Sequence, residues 1–213
     1  PRLCAAICCR LAPQNRWGFT FFRRHAIVKS IFEWEGAHTM GIIRKAAEQD
    51  VPAVAAIYDA ILDREEAGLS TVGWIRGVYP TAETAREALE SGTLFVLEDG
   101  GEVVAAARLD QDHEPAYDDC QWSWDAPDNQ VMVLHTLVVR PDLAGRGYGR
   151  QFVAFYEQYA RERGCPCLRL DTNERNAAAR RLYAKLGYRE AGIIPCVFNG
   201  IGGVNLVCLE KKV

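Results

Sequence analysis

The chain has 213 residues, 49% hydrophobic and 25% charged, which is enough length and apolar content for one domain with a full core. Its net charge of −3 argues against a nucleic-acid binder, which needs a basic surface, and no apolar run is long enough to span a membrane. Eight cysteines show no C-x-x-C spacing and there are only four histidines. No metal site is expected, and reduced thiols in a cytoplasmic setting are.

Residues 1–39 stand apart. They carry six Arg and Lys against two acids, while the remainder is acidic. Cys8-Cys9, Trp17, Phe19, Phe21-Phe22 and Arg23-Arg24 follow neither a helical nor a strand period. Met40-Gly41-Ile42-Ile43-Arg44 reads as a domain start. Residues 1–39 are therefore expected to be an extension ahead of a domain over 40–213. A segment foreign to the native protein, a targeting leader and a structural arm remain open, in that order.

Within 40–213, Ile42–Ala46 is a strand candidate. Asp50 is placed to cap a helix with Pro52 in its first turn and Val54, Ile57, Tyr58, Ile61 and Leu62 at helical spacing, stopped by Gly68. Thr81 caps a second helix with Ala85, Ala88 and Leu89 on its apolar side. Thr93–Leu97 and Glu102–Leu109 are strands joined by Glu98-Asp99-Gly100-Gly101, which is hairpin chemistry. Gln111–Gln130 is a polar insertion. Val131–Val139 is an apolar strand. Gly149–Arg163 carries Phe152, Phe155, Tyr156 and Tyr159 at helical spacing. Cys167–Leu170 is a strand and Asn176–Leu186 a helix. Ile193–Phe198 and Val204–Leu209 are the last strands. The order β-α-α-β-β-β-α-β-α-β-β is an α/β (α+β) mixture without the repeat of a doubly wound fold.

The most informative run is Leu134-His135-Thr136-Leu137-Val138-Val139-Arg140-Pro141-Asp142-Leu143-Ala144-Gly145-Arg146-Gly147-Tyr148-Gly149, with Arg150 following it. A strand stops at proline, a glycine-rich turn follows, and a helix starts. Unpaired N–H groups and the positive dipole end at such a start favour a phosphate. The Gly-Lys-Ser/Thr of a P-loop is absent, and Arg150 occupies the last glycine of a Rossmann fingerprint. A tight turn with no ligand remains open on this run alone.

Ala144–Gly149 resembles motif A of the GNAT superfamily, R/Q-x-x-G-x-G/A, with Ala144 in place of the usual first residue. Asn176-Ala177-Ala178-Ala179-Arg180-Arg181-Leu182-Tyr183-Ala184-Lys185-Leu186-Gly187-Tyr188 resembles the family's N-x-x-A-x-x-L-Y-x-K-L-G-F/Y helix. The two motifs stand in the family's order and cover, with their surroundings, about residues 41–211.

The resemblance implies a mixed, mostly antiparallel sheet, flanked by helices and splayed where Val131–Val139 parts from the next strand. It implies acetyl-CoA as co-substrate, a small amine as acceptor, and direct attack in a ternary complex. Acetylation of a protein or peptide, and a silent acyl-CoA-binding module, are the alternatives. Pantetheine would lie along Leu137, Val138 and Val139, with the N–H of Leu137 facing the thioester oxygen. The diphosphate would meet Ala144, Gly145, Arg146, Gly147, Tyr148, Gly149 and Arg150, and Asn176 would touch CoA or simply cap its helix. Tyr183 is the general acid of the family's pattern or a packing residue. His135 is the base or a core histidine held by hydrogen bonds.

Acceptor contacts are expected from Trp74, Arg76, Tyr79, Trp122 and Phe198. Asp110, Asp112, Glu114, Asp118, Asp119, Trp124 and Asp125 make the insertion either an amine pocket or a solvated loop. Arg76 would suit an acceptor with a carboxylate. Dimers are common in the family, and no run of this sequence locates an interface.

Overall fold

The computed structural model describes residues 41–213, so the expected extension over 1–39 lies outside the described residues. In chain order the elements are β1 (Ile42–Lys45), α1 (Val51–Glu66), α2 (Ala82–Glu90), β2 (Leu94–Asp99), β3 (Glu102–Asp110), β4 (Val131–Val139), α3 (Tyr148–Glu162), β5 (Cys167–Asn173), α4 (Ala177–Lys185), β6 (Arg189–Phe198) and β7 (Ile201–Lys212). They build one seven-stranded sheet in the order β1-β2-β3-β4-β5-β7-β6. β4 and β5 pair in parallel across the α3 crossover, and the other pairings are antiparallel.

Strand side chains alternate between the two faces, and both faces are covered, so the strands read as unbroken apolar runs. Leu94 and Val96 of β2 meet Val54, Ile57, Tyr58, Ala85 and Ala88 of α1 and α2. Phe95 and Leu97 meet Phe152, Val153 and Tyr156 of α3 on the opposite face. The buried Tyr156 hydroxyl lies 2.6 Å from the Met132 carbonyl and 3.0 Å from the Arg169 carbonyl, clipping β4 to β5.

Helix ends follow the sequence signals, with one correction. α1 stops in a reversed turn where Gly68 has φ +69 and Leu69 N–H reaches the Arg64 carbonyl at 2.7 Å. Thr81 caps α2 through the Thr84 N–H at 3.4 Å. Asp50 does not cap α1. Its carboxylate accepts the Ala47 N–H and the Arg44 guanidinium instead, so it locks the turn before the helix.

Two further differences bear on function. β5 continues past Leu170 through Asp171, Thr172 and Asn173, because β7 pairs with those polar residues as Cys208, Val207 and Leu206. The insertion between β3 and β4 is not a solvated loop throughout. Tyr117 is fully buried in a third cluster with Val131, Val133, Leu206 and Cys208.

Candidate active site

β4 is the hinge of the site. Its pairing with β3 passes from Arg108↔His135 to Ala106↔Val138, so Thr136 and Leu137 together face Ala107. This is a bulge, which bends a strand and interrupts its ladder. Thr136 sits at φ +51, a left-handed torsion that a β-branched residue adopts only under constraint. The Tyr79 hydroxyl supplies part of that constraint by bonding the Thr136 hydroxyl.

β4 and β5 pair only from Val131↔Cys167 to Leu134↔Leu170. Beyond that point both strands run on, β4 to Val139 and β5 to Asn173, without pairing to each other. The backbone groups of Leu137–Val139 that face β5 therefore have no strand partner. Unmet backbone donors and acceptors at a strand edge are a template for an extended amide-bearing ligand.

Past β4 the chain turns through Pro141–Leu143 and enters α3. Gly145 and Gly147 have φ +83 and +90, and a Cβ on either would meet nothing within 4 Å. The glycines are thus required by torsion, and the space above them is open. Among the described residues, no carbonyl accepts from the N–H groups of Gly145, Gly147, Tyr148 or Gly149. Arg146 is exposed beside them. Ala144 has no polar side-chain atom to offer, and the Tyr148 hydroxyl is turned to Asp99, so both contribute backbone only. Val138 packs its side chain under α1 and likewise offers backbone.

The splay opens a cavity of about 140 Å³ lined by Leu137, Val139, Asn176, Ala179 and Tyr183 together with Trp74, Tyr79, Asp171 and Phe198. Asn176 caps α4, its Oδ1 accepting the Ala179 N–H at 3.2 Å. Tyr183 is buried against Tyr188, and burial raises its hydroxyl well above the usual phenol range. A phenol that stays protonated can donate. Tyr79 meets Trp74 and Phe198 edge to face, with centroids 6.0 and 5.7 Å apart.

Three residues expected at the site are elsewhere or otherwise engaged. Arg76 is exposed and held by Asp59, Asp63 and Glu66 of α1, so its charge is met outside the cavity. Trp122 stacks under the Arg169 guanidinium at 4.3 Å and donates its indole N–H to the Tyr117 carbonyl, which makes it part of the insertion's packing. His135 does not line the cavity. Its Nε2 faces two acceptors, Asp110 Oδ1 and the Asp112 carbonyl, each at 3.1 Å, and its Nδ1 faces Glu114 at 3.6 Å. Burial alone would lower its pKa, but the hydrogen bond to Asp110 and the nearby carboxylate of Glu114 outweigh that and raise it to about 9. A doubly protonated imidazole has no lone pair with which to act as a base at neutral pH.

Asp171 is the residue that the sequence reading passed over. It is the first residue of β5 beyond the pairing with β4, hence at the apex of the splay. Its Oδ2 accepts from the Tyr117 hydroxyl at 2.8 Å. Burial pushes its carboxyl up to about 6, against the opposing pull of Tyr117 and His135. A polar residue following a strand end carried no signal in the sequence, because β7, far along the chain, is what extends β5 through it.

Comparison with known proteins agrees with this geometry. The family model described as acetyltransferase (GNAT) family matches residues 54–188. An uncharacterized N-acetyltransferase of Methanocaldococcus jannaschii is 30% identical over 76 residues, 36% of this chain, and the match spans 34% of that protein's length. YhfO of Bacillus subtilis, another uncharacterized N-acetyltransferase, is 25% identical over 150 residues, covering 70% of this chain and 89% of that protein. A GNAT-family acetyltransferase structure from Streptococcus agalactiae superposes with TM-score 0.68 at 22% identity, covering 81% of this chain and 95% of that one. The structure of yncA of Salmonella typhimurium, solved with acetyl-CoA, superposes with TM-score 0.59 at 21% identity over 82% of this chain and 94% of that one. The bulged and splayed β4, the glycine turn into α3 and the matched family model together establish that the chain belongs to the GNAT acetyltransferase family.

Proposed function

We propose that the protein transfers the acetyl group of acetyl-CoA to the primary amine of a small molecule, by direct attack while both are bound. The observation that carries this reading is the continuity of the splayed β4 edge with an aromatic-walled cavity. On the α3 side, the amides of Gly145, Gly147, Tyr148 and Gly149, reinforced by Arg146 and Arg150, hold the diphosphate. The free edge of β4 receives the pantetheine amides, and Leu137 N–H faces the developing oxyanion. Tyr183 gives its proton to the departing thiolate.

The acceptor side supports a small substrate. The connection between α1 and α2 is pinned to the start of α4 by Thr71, whose hydroxyl donates to the Arg175 carbonyl at 2.9 Å. The hairpin between β6 and β7 closes on the same connection, where a Cβ on Gly200 would touch Val78 at 3.5 Å. These ties bring the connection and the hairpin together over the cavity, which favours a small acceptor over a peptide.

Calorimetry with coenzyme A, together with thiol-release kinetics of Tyr183→Phe, tests the reading. The expected result is CoA affinity unchanged in the variant and kcat lowered on the order of 10²–10⁴-fold. Absence of CoA binding by the wild-type protein, or full turnover by the variant, would refute it.

A further inference from the structure

The cavity has an uneven charge inventory. Among the described residues that line it, Asp171 alone is an acid, and none is Lys, Arg or His. The guanidinium nearest in sequence to the aromatic wall, Arg76, is already met by three carboxylates outside. An acceptor bearing its own carboxylate or phosphonate would lose its hydration in this cavity without gaining a cation, which is costly. A protonated amine would gain a carboxylate beside the aromatic wall of Trp74, Tyr79 and Phe198.

Asp171 is placed for this. One oxygen is held by the Tyr117 hydroxyl, which fixes the plane of the carboxylate. The other, Oδ1, has no donor among the described residues. The apex of the splay also sets Asp171 where the β4 edge ends its pairing, next to the stretch that would carry the thioester.

Resting on the function proposed above, we infer that Asp171 binds the acceptor as a primary ammonium through Oδ1 and takes its proton, so that the enzyme acetylates monocationic amines with an uncharged, partly aromatic body and rejects their carboxylated counterparts. The protons balance as follows. One leaves the ammonium for Asp171, freeing the nitrogen lone pair. The C–N bond forms, the C–S bond breaks, and the thiolate takes the Tyr183 proton. The second nitrogen proton restores Tyr183, and Asp171 returns its own to solvent with the product.

The titratable groups around Asp171 come from every neighbouring element. Tyr117 and Glu114 come from the insertion, His135 from β4, Tyr79 from the connection between α1 and α2, Tyr183 from α4, and Cys196 and Cys208 from β6 and β7. The phenols and Cys208 are held protonated by burial, and His135 is held cationic. Asp171 is left as the group that changes charge just below neutrality. As pH falls through about 6 the carboxylate is lost, and with it both the ammonium site and the proton acceptor. kcat/KM should then fall about tenfold per pH unit.

Thiol release is measured over acceptor pairs that differ by one carboxylate: 2-phenylethylamine and phenylalanine, tyramine and tyrosine, tryptamine and tryptophan. The expected result is turnover of a decarboxylated member and at least a roughly tenfold lower kcat/KM for its partner. Asp171→Asn is expected to lower kcat/KM about 100-fold or more and to abolish the acid limb, with CoA affinity by calorimetry unchanged. Asp171→Glu should keep the limb. Equal use of an amino acid, no turnover of any of the three amines by protein that binds CoA, or an unchanged limb in Asp171→Asn would overturn the inference. Failure to bind CoA would instead remove the underlying function.

Discussion

His135 shows how a residue's neighbours decide its chemistry. On sequence grounds it is as fit to be a base as to be a structural histidine. In the fold it is buried with Asp110 and Glu114 on its two nitrogens, and its folded pKa of about 9 lies above the ordinary histidine value of 6.5. A raised pKa contributes stability that is complete below about pH 6.5 and is lost as pH rises through about 9. The urea midpoint of the wild-type protein is expected to fall between pH 6.5 and 9.5. In His135→Asn that slope should flatten, and equal slopes would show that the imidazole is not the cation described here. The same charge faces Asp171, so His135 acts on the site as a distant cation that favours the ionised carboxylate.

Elements, more than single residues, shape the cavity proposed for the acceptor. The connection between α1 and α2 is anchored at Gly73, which has φ +79 and approaches Asn173 so closely that a Cβ would sit 2.3 Å from Nδ2. The Asn173 amide cannot yield freely, because its Oδ1 accepts the Arg175 N–H at 3.0 Å. Gly73→Ala therefore combines a backbone penalty with a clash and should lift the roof off β5. The expected outcome is an acceptor KM raised about tenfold or more with CoA affinity unaltered, read by steady-state kinetics and calorimetry. A KM equal to wild type would mean that this connection does not shape the acceptor side. The β4 bulge works at the same scale. The β3–β4 ladder resumes after it at Ala106↔Val138, so the ladder survives while β4 bends away from β5.

Across the whole molecule, the insertion, the last hairpin and the sheet are tied by one buried carboxylate. Glu210 of β7 is 2% exposed and accepts from Arg189 of β6 and from the Ser123 N–H of the insertion. Arg189→Met would strand that carboxylate, although water can partly reach the half-exposed guanidinium position. Its loss is expected to cost about 1–3 kcal/mol, below the range for a fully buried pair. Urea unfolding would measure it, and a change under 0.5 kcal/mol would show that the tie carries little energy. Because the insertion delivers Tyr117 to Asp171, the same variant should also raise the acceptor KM.

Much was legible in the chain itself. Period-two and helical patterns, Thr81, Gly68 and the Gly100-Gly101 hairpin located the elements, because those signals act over a few residues and need no partner. The glycines at 145 and 147 marked the turn into α3, and the asparagine at 176 the cap of α4, for the same reason, since torsion and capping are local. The acceptor side was not legible. Trp74, Tyr79 and Phe198 meet in the fold, but Trp122 and Arg76, equally plausible by composition, are spent on Arg169 and on α1. Asp171 owes its place to β7, its bond to Tyr117 and its raised pKa to burial between them. Local torsion and periodicity are properties of a sequence. Which charges are paired, and which carboxylate is left facing a cavity, depends on residues brought together from distant parts of the chain, and only the tertiary structure decides that.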